Sequence, residues 1–148
     1  MKSREEALAL LHEYTKNESL IKHALAVEAA MKWYAGHFGV SEEEALKWQI
    51  TGLLHDFDYE KYPTQEEHPF DGEKILAQLG YPEDVRQAIL GHADYSGVAR
   101  QTLLAKTLYA VDELSGLVTA SVYVRPDRSI HALEASSVKK KMKDKAFA

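Results

Sequence analysis

The chain contains no cysteine, so disulfides and thiolate metal sites are closed to it. Any ion it holds must be bound through nitrogen and oxygen. Long apolar runs are missing as well. None approaches the roughly 20 residues that cross a bilayer. The opening residues Met1-Lys2-Ser3-Arg4-Glu5-Glu6 lack the apolar stretch of a signal peptide. These absences predict a cytoplasmic protein with no membrane partner. Proline and glycine are sparse, four and eight in 148 residues, and the length suits one domain over 1–148. Positive charge is short overall, with a net charge of −5. It is also uneven: residues 138–148 carry five Lys and one Asp, which leaves that end at +4 and the remainder at −9. An acidic body of this kind predicts no nucleic-acid polymer as partner. The lysines read as a solvated helix end whose cations complement the helix dipole.

Helical periodicity runs through nearly all of the chain. Ser3 is a cap for a first helix, with Glu5 and Glu6 in its first turn. Asn17 caps a second, from Glu18 to about His37, whose Leu20, Ala24, Val27, Met31 and Tyr34 follow a 3.6 period. Ser41-Glu42-Glu43-Glu44 is a capping box for a third that runs to His55 and Asp56. A loop over Asp58 to Glu67 leads to a fourth helix, Pro69 to Leu79, with His68 at its lip. A fifth starts at Tyr81-Pro82-Glu83-Asp84 and reaches about His92. Ala93 to Ala99 is a loop, and a long sixth helix spans about Arg100 to Val122. Ser136 or Ser137 caps a last helix through the Lys run, about 136–147. The fold class predicted is all-α, a bundle of about six to seven helices with its core over about 15–122.

The chemistry gathers at Leu53-Leu54-His55-Asp56-Phe57-Asp58, where an apolar run ends in imidazole and carboxylate groups. Such groups are ligands for Zn, Mn, Fe, Ni or Co. Four further positions supply the same chemistry: His23, His68, His92 and Asp112. Taken singly, each has an ordinary structural use. His23 suits a hydrogen-bonded core histidine, His68 a helix cap, and His92 a partner for a helix C-terminus. Asp112 suits a partner for a buried Lys or Arg. A carboxylate beside the apolar face of a long helix costs several kcal/mol unless it is paired or bound to metal.

The segments Ile21-Lys22-His23-Ala24-Leu25, Leu53-Leu54-His55-Asp56-Phe57 and Tyr109-Ala110-Val111-Asp112 give the order His…His-Asp…Asp. This order resembles the HD superfamily of metal-dependent phosphohydrolases. Glu67-His68-Pro69-Phe70-Asp71-Gly72 and Ala88-Ile89-Leu90-Gly91-His92 are similar to the histidine segments of its HDIG-type subgroup. Ala110-Val111-Asp112-Glu113-Leu114-Ser115-Gly116-Leu117 and Val124-Arg125-Pro126 resemble small, single-domain HDIG-type predicted hydrolases. Two departures stand out. Phe57-Asp58 occupies the place of the subgroup's Ile-Gly, and Tyr59 stands where nucleoside-monophosphate hydrolases carry Glu.

The resemblance implies a helical HD bundle and one divalent ion on His23, His55, Asp56 and Asp112. The ion is Mn, Fe, Co, Ni, Zn or Mg. It further implies that His68 and His92 either complete a second metal site bridged by Asp56 or contact substrate phosphate. The expected activity is metal-dependent hydrolysis of a small phosphate ester, a nucleotide or related metabolite. In it Asp56, His68 and His92 are catalytic candidates, and Asp58 is an acid that orients a histidine or a loop. Two other readings use the same residues: a metal- or nucleotide-binding regulatory module without turnover, and a di-iron oxygenase on the same scaffold. Lys22, Lys61, Arg100, Lys106 and Arg125 are the candidate phosphate contacts. Trp33, Trp48, Tyr14 and Tyr34 read as packing residues, and Tyr62 and Tyr95 as candidates for the cleft rim.

Overall fold

A computed structural model describes residues 1–147. Its elements are α1 (Arg4–Tyr14), α2 (Glu18–His37), α3 (Glu42–Leu54), α4 (Phe70–Gln78), α5 (Glu83–His92), α6 (Leu103–Tyr123) and α7 (Ala135–Met142), with a 3-10 turn at Asp94–Ser96. No strand occurs among the described residues. The chain divides into two compact units, Met1–Val111 and the residues from Asp112 onward.

In the first unit, caps set the helix starts. The Ser3 hydroxyl accepts from the Glu6 N–H, and the Glu6 carboxylate accepts from the Ser3 N–H at 2.8 Å, a complete capping box. Asn17 Oδ1 accepts from the N–H groups of Ser19 and Leu20. Ser41 accepts from Glu44 N–H, so the box expected there is present in its first half. The expected bounds of α2 therefore hold, and α3 starts as expected but ends at Leu54, with His55 as its C-cap and Asp56 in the turn beyond. α6 starts later than Arg100, because the Thr102 hydroxyl takes the N–H of Ala105 and fixes the first turn there.

Helices α2 and α3 form the spine of this unit. Gly52 allows their close approach: a Cβ there would lie 2.8 Å from Met31 Cγ and 2.9 Å from the Val27 carbonyl oxygen. Val27, Met31, Ile50, Leu53, Leu54, Phe57, Leu76 and Leu108 are fully buried in one core. At its edge the Glu28 carboxylate, almost completely buried, accepts from Arg4 Nε at 2.5 Å, Arg4 Nη2 at 2.9 Å and Gln49 Nε2 at 2.7 Å. One buried acid thus ties α1, α2 and α3 together. Trp48 is buried as expected, whereas Trp33 is 62% exposed and stacks on His37 instead of entering the core.

In the second unit, α7 begins after Glu134 rather than at a serine cap, and it ends at Met142. Val138 is its single buried residue, and Lys139, Lys140 and Lys141 form its last turn.

Candidate metal centre

The segment after α3 is held from several sides. Phe57 is fully buried edge-on to Tyr14, with ring centroids 5.2 Å apart. The Thr15 hydroxyl donates to the Phe57 carbonyl, and the Glu60 carboxylate accepts from the N–H groups of Lys16 and Asn17. The turn carrying His55 and Asp56 is thereby fastened to the α1–α2 junction.

Asp56 stands at the centre of four imidazoles. Its Oδ2 lies 3.3 Å from His55 Nε2 and 3.8 Å from His23 Nε2. Its Oδ1 lies 3.1 Å from His92 Nε2 and 3.4 Å from His68 Nε2. His23 Nε2 and His55 Nε2 are 3.2 Å apart. Ligand atoms about 2.1 Å from one ion and at right angles to each other are about 3 Å apart, so these separations suit a shared cation.

The far nitrogens of three rings are already occupied. His55 Nδ1 donates to the Gly52 carbonyl at 2.8 Å, and His92 Nδ1 to the Ile89 carbonyl at 2.5 Å. His68 Nδ1 donates to Asp58 Oδ1 at 2.7 Å. A carbonyl oxygen can only accept, so Nδ1 carries the proton in His55 and His92. When each ring is neutral, its lone pair lies on Nε2 and points at Asp56. Metal-ligating histidines are oriented in this way by outer partners.

Asp58 is nearly fully buried, and its second oxygen accepts the Gly72 N–H at 2.9 Å. A Cβ on Gly72 would lie 2.5 Å from Asp58 Oδ2, so only glycine fits. His68 precedes Pro69 through a cis peptide bond. α4 begins one residue later than expected, at Phe70.

The protons follow the geometry. Burial opposes the charge on Asp56, but His55, His68 and His92 outweigh it and hold the carboxyl well below its usual range. Burial likewise disfavours a charged His68, yet Asp56 and Asp58 raise its pKa to about 9. The cluster of neutral donors around a carboxylate therefore attracts positive charge, here a proton.

Within the first unit, two oxygens of one carboxylate thus face His23 with His55 and His68 with His92. The triad Asp56, His68 and His92 has its donor atoms within 4.8 Å of one another and could hold a metal ion. Asp112 opens the second unit, half-buried, one helical turn beyond the core residue Leu108. His12, His37 and His131 are exposed, as expected. Among the candidate phosphate contacts, Arg100 is bound to the Gly91 carbonyl and Asp94 and lies over the Tyr109 ring, and Arg125 is paired with Asp127. Lys61 lies over the Tyr14 ring, and Lys22 and Lys106 are exposed.

Sequence reading missed two contributors. Gly72 gave no signal, because its role depends on a residue fourteen positions away. Tyr59, noted only for the Glu it replaces, sets its ring edge-on to His68 at 5.4 Å.

The model of the HD domain family matches residues 20–117, two thirds of the chain. The protein belongs to the HD-domain family, whose members are usually metal-dependent hydrolases. No curated protein and no solved structure matches the chain. No helix among the described residues is long and apolar enough to cross a membrane.

Proposed function

We propose that this protein is a metal-dependent phosphohydrolase acting on a small phosphate ester, a nucleotide or a related metabolite. The observation that carries the reading is Asp56, each of whose oxygens faces a pair of imidazoles. A carboxylate so flanked suits a bridge between two ions. His23, His55 and Asp56 are ligands for the first, to which the family resemblance adds Asp112, and Asp56, His68 and His92 are the ligand set for the second. The Asp112 assignment is supported by its position in the family match. That match runs across residues 111 and 112, which supports reading 1–148 as one HD domain.

Bound divalent ions supply Lewis acidity to a phosphoryl oxygen and lower the pKa of a water. The chain's own contribution is orientation. Gly52, Ile89 and Asp58 hold three imidazoles by their Nδ1–H groups and keep Nε2 facing Asp56. Asp58 acts only through His68. With two ions, His68 and His92 are ligands. With one, His68 or His92 is the group that delivers a proton to the leaving oxygen.

Six nitrogen and oxygen donors also suit a di-iron oxygenase, and metal identity separates the two. The test is metal analysis of protein prepared without chelator, repeated on His92→Ala and Asp112→Ala. We expect close to two equivalents in the wild type and about one in His92→Ala, with hydrolysis of phosphate esters supported by Mn or Co. Iron as the sole metal would move the reading to oxygen chemistry. One equivalent that survives loss of His92 would assign that residue to substrate. No metal after reconstitution would leave a binding module.

A further inference from the structure

Helix α5 ends at His92, and three carbonyls of its last turn each have a donor. The Ile89 oxygen takes His92 Nδ1–H, and the Leu90 oxygen takes the Ala93 N–H at 3.4 Å. The Gly91 oxygen takes Arg100 Nη1 at 2.6 Å. A helix leaves its final carbonyls without backbone donors, and a cation there also complements the helix dipole. The Gly91 carbonyl belongs to the peptide that enters His92, so fixing it fixes the residue that carries the imidazole. Gly91 leaves room for this contact: a Cβ there would lie 3.2 Å from Arg100 Cγ.

Arg100 is itself held from two sides. Its Nη2 lies 3.0 Å from Asp94 Oδ1, and its guanidinium sits 3.7 Å above the centre of the Tyr109 ring. The Tyr109 hydroxyl donates to Asp94 Oδ2 at 3.2 Å. Each of the three residues thus contacts the other two. The residue after Asp94 then reaches the other imidazole of the pair, since the Tyr95 hydroxyl donates to the His68 carbonyl at 2.8 Å. The short turn Asp94–Ser96 is therefore tied to the backbone at both His68 and His92. The turn bearing His55 is fastened elsewhere, at the α1–α2 junction. Stability alone does not account for this arrangement. Asp94 is 70% exposed, and an ion pair so exposed adds little to folding.

We propose that Arg100, clamped by Asp94 and Tyr109, is a positioning residue for the second imidazole pair. It holds His92 directly and His68 through the turn. The ion bound by Asp56, His68 and His92 depends on this clamp, and the ion beside His23 and His55 does not. The dependence rests on the two-metal reading above, and the test separates the two.

Two measurements are made on the full chain, in the wild type, Arg100→Met, Arg100→Lys and Asp94→Ala. The first is a calorimetric titration with Mn, in which the step that His92→Ala abolishes marks the second ion. Arg100→Met should weaken that step about tenfold or more and leave the other within about twofold. Arg100→Lys should recover part of the loss, because an ammonium reaches the carbonyl and Asp94 but does not stack flat on Tyr109. The second is solvent exchange of the imidazole Nδ1–H groups, followed by NMR before metal is added. The His92 proton should exchange at least tenfold faster in Arg100→Met, while the His55 proton serves as an unchanged reference. Asp94→Ala opens the clamp at its exposed corner and carries both comparisons if Arg100→Met does not fold. Equal loosening of His55 and His92 would overturn the clamp and make Arg100 a general brace. Unchanged exchange and titration in Arg100→Met and Asp94→Ala would also overturn it. A wild type that takes one ion, with His92 still loosened by Arg100→Met, would overturn the two-metal reading and keep the clamp.

Discussion

Glu28 and Asp56 are carboxylates set in the same helical unit, and their surroundings differ in kind. Glu28 meets a guanidinium and an amide, and every contact brings a hydrogen to one of its oxygens. Its charge is answered inside the protein. Asp56 meets four imidazoles, and three of these have their Nδ1–H groups tied elsewhere. In the neutral rings, lone pairs face lone pairs. The first arrangement closes a structure; the second asks for a cation. Acidity and burial alone do not separate them, since Glu28 is the more buried of the two. What separates them is where the neighbouring hydrogens point.

Substitutions can break or sharpen this contrast. The largest effect is expected from Asp56→Ala, which removes the shared carboxylate and should weaken metal binding by more than about 100-fold in a calorimetric titration. Glu28→Gln should leave metal stoichiometry unchanged. Equal metal loss in both variants would erase the distinction. Next is Asp58→Asn. An amide offers one acceptor where His68 and Gly72 need two. Metal affinity should fall about 10- to 100-fold, as for other partners that orient a ligand. An unchanged titration would show that His68 is not a ligand. The smallest effect is on stability. Glu28→Gln keeps the shape but loses the charge opposite Arg4, and partial exposure of Arg4 limits the cost to about 1–3 kcal/mol. Chemical denaturation measures it, and a neutral result would mean that the Arg4–Glu28 pair adds no net stability.

Much of this was legible in the sequence because it is local. Asn17 and Ser41 announce helix starts within three residues of themselves, and apolar spacing names the buried face. His55-Asp56 was conspicuous because an apolar run ends there. The start of α6 was misread because Thr102 caps it while Arg100 looked equally helical. Trp33, read as a packing residue, packs along α2 on Tyr34 and His37 rather than in the core. Asp58 was seen only as an acid near a histidine. Its two hydrogen bonds, to His68 and to Gly72, come from ten and fourteen residues away, and no periodicity encodes them.

The contact between Asp58 and Gly72 has an evolutionary consequence. Position 72 has no room for a side chain while position 58 carries Asp, and His68 is oriented only while Asp58 is there. Positions 58, 68 and 72 cannot drift one at a time. Among descendants of this sequence they should persist as Asp, His and Gly or change together, and a lineage that has given up the second histidine pair should be the one in which glycine disappears from position 72.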